Sequence, residues 1–187
     1  VEGLSYKEKV YAIPRDISCQ VFYINLDMFR DKNVPIPAKN WTVDNLLNTG
    51  KQLTTNGVWG IGYEDDIYWA LPYITAFGGG ILTDDAQKEI INLAASQAGL
   101  KFYKDLRNKY KVAPKASDIG SSTAAQMFLD QKIAIYLSGR WMYPKISEKA
   151  NFNWQVAPFP SNNLLCDTSG WAVAKDSKHK EAALSFI

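Results

Sequence analysis

The chain has 187 residues, 47% of them hydrophobic and 21% charged, which is enough to bury a substantial core and excludes a disordered segment. Its 21 basic and 19 acidic residues leave a formal net charge of +2. With no long run of Lys or Arg, nothing points to a nucleic-acid backbone as partner. No stretch approaches the about 20 consecutive apolar residues that span a bilayer.

Val10–Pro14 and Val21–Asn25 read as two short strands, the second rich in Val, Phe, Tyr and Ile. A short helix over Leu26–Lys32 should stop at the Asn33-Val34-Pro35-Ile36-Pro37 segment. Thr42 is placed to N-cap a second helix with Val43, Leu46, Leu47 and Leu53 on one face. Asn45 stands where a full capping box carries Glu, so that motif reads as partial. Val58–Ile61 suits a buried strand, and Asp65–Phe77 carries aromatics at helical spacing up to Gly78-Gly79-Gly80. Asp84 or Asp85 should open the longest helix, whose buried face would be Ile91, Ala95, Ala98, Phe102, Leu106 and Tyr110.

Further on, Ser121 or Ser122 should cap a helix through Phe128, and Ile133–Leu137 reads as a strand covered on both faces. Ser138-Gly139 should break that strand, with a helix over Arg140–Ile146. Phe152–Ala157 and Trp171–Ala174 read as strands, and a last helix begins near Lys178. Alternating strands and helices favour an α/β layered sheet, in which ligands bind beyond the carboxyl ends of strands. That rule selects Pro14–Ser18, Ser138–Trp141 and the loop after Val156.

Cys19 and Cys166 allow one disulfide; the alternative, two free buried thiols, is favoured because Cys is so often a small core residue. His179 is the only histidine and lies between lysines, as a solvated residue would. It has no second ligand cluster for zinc, so no metal and no cofactor are expected. No Gly-x-Ser-x-Gly elbow offers a nucleophile, and the three glycines at 78–80 follow a helix rather than a strand, so they do not form a phosphate loop.

Ten phrases in order carry a family resemblance. They begin with Tyr11-Ala12-Ile13-Pro14-Arg15-Asp16, then Val21 to Phe29, then Pro37 with Trp41-Thr42. Next come Leu53-Thr54, Val58-Trp59-Gly60-Ile61 and Phe77-Gly78-Gly79. Ile133-Ala134-Ile135 with Ser138-Gly139-Arg140-Trp141 comes after these, then Val156 to Pro160, Ser169 to Val173 and Ser177 to Ala183. Together they resemble the bacterial extracellular solute-binding family that includes the maltose-binding protein. One departure is visible: the usual Tyr-Asn-Lys-Asp has Ile24 inserted after Tyr23 and Leu26 in place of Lys.

The resemblance implies a type II periplasmic-binding-protein fold, mostly its carboxy-terminal lobe with hinge segments, the amino-terminal lobe being largely missing. Residues 1–168 would be that lobe, with the first hinge crossing near 12–20, and 169–187 the return crossing and start of the other lobe. The absence of an initiating Met and the end at Ile187 within a helical pattern fit an excerpt. The implied function is the solute-capturing subunit of an ABC importer, extracellular or periplasmic, with a lipid anchor left open. Its partners would be a mono- or oligosaccharide and the transmembrane permease subunits, and the protein would act as a monomer without chemistry.

Trp141, after a buried strand and a Ser-Gly break, falls where the family stacks an aromatic on a sugar ring; the π-face suits the C–H groups of a pyranose. Arg140 could donate a fork of hydrogen bonds to hydroxyls. Arg15 and Asp16, with Ser18 nearby, follow the first strand and could pair with hydroxyls or with each other. Asp66, Tyr68 and Trp69 open the aromatic helix. Adjacent helical residues lie about 100° apart, so either Tyr68 or Trp69 should face ligand and the other the core. Trp171, beside Gly170, could line the hinge end, whereas Trp41, Trp59 and Trp154 read as core.

The competing function is a glycosidase using two carboxylates such as Asp16 and Asp66, which would need a separation of about 5 to 9.5 Å. A chain carrying one wall of a cleft should bind sugar only at about millimolar strength.

Overall fold

A computed structural model describes residues 2–161 and 165–187, and the chain forms two compact units, Val1–Cys19 with Cys166–Ile187 and Gln20–Leu165. The sequence places a single boundary between 168 and 169. The compact units divide at 19/20 and 165/166, because the first residues pair with the segment after 165. No helix among the described residues is long and apolar enough to cross a membrane.

The larger unit is an α/β layer. Its strands are the second half of β3 (Ile13–Asn25), β4 (Trp59–Gly62), β5 (Ile133–Gly139) and β6 (Trp154–Pro158), in the order β4-β5-β3-β6. β5 and β6 both run antiparallel to β3, and β4 runs parallel to β5. Three strands therefore share a direction and β3 alone opposes them. The expected strands 10–14 and 21–25 are not separate, since β3 is continuous from Ile13. β5 is buried along its whole length and does not break at Ser138-Gly139. The pleat sends alternate residues to opposite faces. Phe22, Ile24 and Leu137 enter the larger core with Phe29, Trp41, Leu46, Ile61, Tyr73 and Leu106. Tyr23 and Tyr136 enter a second core with Phe128, Ile146 and Phe152.

Helices α1 (Leu26–Asp31) and α2 (Val43–Leu53) come after β3. Thr42 caps α2, and Asn45 completes the capping box by accepting from the Thr42 N–H at 2.9 Å, so an amide oxygen serves where Glu is the usual residue. α2 lies so close to β4 that a side chain at Gly60 would strike the Gly50 backbone. A 3₁₀ turn (Ile67–Ala70) leads into α3 (Leu71–Ala76), which packs on α4 (Ala94–Asn108). α4 starts at Ala94, well beyond the acidic pair expected to open it. Asp85 closes a local turn instead, accepting from the Thr83 hydroxyl and the Gln87 N–H. Short Asp and Thr side chains compete with the helix in this way.

The one-turn helix α5 (Ala116–Ile119) has no clear sequence signal. α6 (Ala124–Leu129) is capped by Thr123, one or two residues beyond the expected serines. A 3₁₀ turn over Arg140–Met142 precedes α7 (Tyr143–Lys149). Trp41 is buried and donates to the Pro158 carbonyl at 2.9 Å, whereas Trp59 and Trp154 are half-buried beside the second core.

The smaller unit holds a two-residue hairpin, β1 (Ser5–Tyr6) with β2 (Lys9–Val10), and a ladder between the first half of β3 and β7 (Cys166–Trp171). The last strand thus precedes the expected 171–174, and α8 (Lys180–Phe186) comes after it. The ladder ends at a Cys19–Cys166 disulfide. This overturns the expectation of free thiols, because the two residues are direct cross-strand partners. The bond closes a ring around the whole of 20–165.

Replacing both Cys19 and Cys166 by Ser should lower stability by up to about 5 kcal/mol, the loop-closure entropy of so long a ring. Urea midpoints under oxidising conditions measure it, and an unchanged midpoint would refute the structural role. The buried tyrosines set a pH dependence. Burial pushes Tyr23 and Tyr103 up to about 12 and Tyr63, Tyr73 and Tyr136 still higher. The folded state holds these protons more tightly than the unfolded chain does, so this stability is intact below about pH 10 and is lost as pH rises towards 12. Absorbance of tyrosinate should therefore show a group of tyrosines ionising only together with unfolding.

Candidate functional site

Because β4, β5 and β6 share a direction, their carboxyl ends emerge at one edge of the sheet, where β3 enters carrying Gln20. Open α/β sheets bind ligands at such an edge. The segment after β4 carries Glu64, Asp65, Asp66, Tyr68 and Trp69, and the segment after β5 carries Arg140 and Trp141.

Two clamps hold the segment after β4. Glu64 accepts from the N–H groups of Ala124 and Ala125 at 3.2 and 3.1 Å, at the start of α6. On the other side Arg107 of α4 pairs with Asp65, donates to the Tyr63 carbonyl at 3.1 Å and lies 4.4 Å over the Tyr63 ring. Asp66 then N-caps the 3₁₀ turn, its carboxylate accepting from the Tyr68 N–H at 2.7 Å. Asp66 is thus occupied as a cap, though exposed.

Of the two rings in question, Trp69 is the more buried at 7% exposed and belongs to the larger core, while Tyr68 is half-buried. Tyr68 meets Trp69 edge-on at 5.1 Å, and Trp69 lies 6.1 Å from Trp141. The three rings form one aromatic row, of which Trp141 is the open member at 46% exposed. Gly139 makes this possible: a side chain there would collide with the six-membered ring of Trp141, so the indole lies over bare backbone. Arg140, Trp141, Tyr143 and Pro144 line a depression of about 350 Å³ beside it. Beneath, the Tyr23 hydroxyl donates to the Gly139 carbonyl at 3.0 Å and ties the same turn to the second core.

Arg15, Asp16 and Trp171 lie in the smaller unit. A bulge between Pro14 and Asp16 leaves Arg15 as an extra residue on β3. Adjacent strand residues ordinarily point to opposite faces, but a bulge re-aims one of them. Arg15 accordingly donates to Asp16 at 2.7 Å and lies 5.7 Å over the Trp171 ring. Both charged side chains are about half exposed, so the ion pair itself contributes little to stability. Sequence reasoning missed the bulge, for which Pro14 inside a strand was the available signal.

Asp16 and Asp66 fall in different units, and each is engaged, one with arginine and one as a helix cap. Among the described residues no group of three or more His, Cys, Asp or Glu could hold a metal ion. His179 is exposed. The arrangement in the larger unit offers an exposed aromatic surface with Arg140 beside it, and fixed polar groups hold the segment after β4.

Comparisons with known proteins agree on a lineage. Residues 1–187 match the family described as bacterial extracellular solute-binding protein. A galactooligosaccharide-binding protein of Bacillus subtilis is 21% identical over 200 residues, spanning 98% of this chain and 45% of that protein. An ABC substrate-binding protein from Listeria monocytogenes, solved in complex with cycloalternan, matches with a TM-score of 0.87 and 27% identity over 98% of this chain and 48% of its own. The maltose/maltodextrin-binding domain from Bdellovibrio bacteriovorus, bound to maltotriose, shares the fold at a TM-score of 0.75 and 23% identity, covering 97% of this chain and 50% of that one. The chain therefore spans about half the length of the relatives it matches.

Replacing Gly139 by Ala should force the Trp141 indole off its seat without unfolding the larger unit. The expected results are a shifted indole N–H resonance for Trp141 and a stability loss of about 1–3 kcal/mol from overpacking. An unshifted resonance would show that the indole does not rest on Gly139.

Proposed function

Since the chain belongs to the bacterial extracellular solute-binding protein family, we propose that its larger unit supplies one wall of a two-lobed carbohydrate site, as the carboxy-terminal lobe of an ABC importer's binding subunit. The family is one of proteins that act outside the cytoplasmic membrane. The smaller unit, with its paired strands and disulfide, would be the hinge crossings and the beginning of the other lobe. The observation that carries this reading is the exposed Trp141 indole at the carboxyl edge of the sheet, backed by Trp69 and Tyr68.

An indole seated over a glycine and half exposed offers ring surface to solvent, and a pyranose offers a complementary face of C–H groups. Exposed Arg140 stands beside it as a donor to hydroxyls. Contacts made only when a second wall closes would select the closed form, which is the state a permease would recognise. No bond needs to be made or broken. The ligand class we favour is an oligosaccharide, in keeping with the cycloalternan and maltotriose found in two related structures.

Titrating this chain with maltotriose and with a galactooligosaccharide, monitored by ¹⁵N–¹H spectra, tests the proposal. A single wall should give saturable binding in the millimolar range, about −4 kcal/mol, with the Trp141 indole N–H among the resonances that move. Trp141→Ala should remove that binding and leave the fold intact. Binding that survives the substitution, or release of shorter sugars over time, would overturn the reading.

A further inference from the structure

We propose that Gln20 is a specificity-determining residue of the Trp141 site, its side-chain amide pairing with a hydroxyl of the bound carbohydrate; the inference rests on the carbohydrate reading above. Gln20 is 0% exposed, and neither its amide nitrogen nor its amide oxygen has a hydrogen-bond partner among the described residues. A buried amide left unpaired is costly, and natural cores hold few of them. On β3 it is in phase with Phe22 and Ile24, positions filled by core hydrophobics. A Leu or Met there would continue the row, so the polar residue breaks a local rule. Such breaks gather at functional sites.

Its neighbour indicates what the amide serves. Gln20 is the direct cross-strand partner of Gly139. Side chains of such a pair stand on the same face, about 5 Å apart at Cβ. Gly139 has none, and the Trp141 indole occupies the place its side chain would take. Gln20 therefore stands beside the place that the half-exposed indole fills. A sugar stacked on that indole sets its ring hydroxyls at the indole's rim. A small slide of the indole away from Gly139 would open the amide to one of them. The amide then gains the donor and acceptor it lacks, so ligand binding and the slide favour one another.

The experiment compares wild-type chain with Gln20→Met, a replacement of similar length and volume, for stability and for maltotriose binding. The expected result is opposed: a higher urea midpoint, because the orphaned amide is gone, and affinity weakened by roughly tenfold, the loss of a paired hydrogen-bonding group. In the wild type, the Gln20 side-chain NH₂ resonances should move on addition of sugar, a measurement independent of any variant. Unchanged affinity in Gln20→Met, or stationary Gln20 resonances while Trp141 responds, overturns the inference and leaves the carbohydrate reading standing. A lower midpoint in Gln20→Met means the amide is already satisfied in the free protein, and this too overturns it. No response of Trp141 to any sugar removes the carbohydrate reading and the inference with it.

Discussion

The architecture depends on β3 running against its neighbours. A strand of 13 residues gives its first half to a ladder with β7 and its second half to the space between β5 and β6. As the lone reversed strand, it lets β4, β5 and β6 present their carboxyl ends together, and it enters at that same edge. Backbone hydrogen bonding forces this arrangement, because a central strand must pair on both sides. Its apolar second half, from Val21 to Ile24, is what a doubly covered strand requires. Its first half is exposed, mixed and bulged, as suits a strand outside the main core.

From that edge the site is built by packing. The turn after β5 is tied down by the Tyr23 hydroxyl, and the segment after β4 by Glu64 on one side and Arg107 on the other. None of these groups needs to touch a ligand. Each removes freedom from a loop that would otherwise have to be ordered on binding, at a cost of order 1 kcal/mol per residue. Preorganisation of this kind would give the polar side chains behind the aromatic row a role in the proposed site. Arg107 holds the segment after β4 while nearly buried, its guanidinium over the Tyr63 ring and its fork shared between Asp65 and the Tyr63 carbonyl, which the single ammonium of a lysine does not offer.

Much of the larger unit could be read from the chain, because local signals and tertiary needs coincide there. Ile133–Leu137 has the length and unbroken apolar character of a covered strand, and Thr42 before Val43 has the place of an N-cap; both are so in the structure. The readings that failed turned on non-local pairing or on competing local bonds. Asp84 and Asp85 have the look of a helix start, yet Thr83 and Gln87 draw Asp85 into a turn. The partnership of Cys19 and Cys166, 147 residues apart, has no local trace at all. The rings of the candidate site lie at positions that the sequence marks, whereas the bulge at Arg15, hinted at only by Pro14, and the pairing of Gln20 with Gly139 are fixed by strand register.

Stacking on an indole supplies apolar contact area but discriminates poorly among sugars, since epimers differ in the direction of a single hydroxyl. Discrimination needs polar groups that are fixed and that lose something when the wrong hydroxyl arrives. A site built to hydrogen-bond a hydroxyl rejects an analogue lacking it by about 10⁴ or more, because its own buried group is left unpaired. Flexible exposed donors such as Arg140 impose no such penalty, for water replaces the missing partner. Asp66 and Glu64 are spent on helix starts, and Asp16 is held by Arg15. In the site proposed above, affinity would thus come from a ring open to solvent, and selectivity from polar atoms that solvent does not reach.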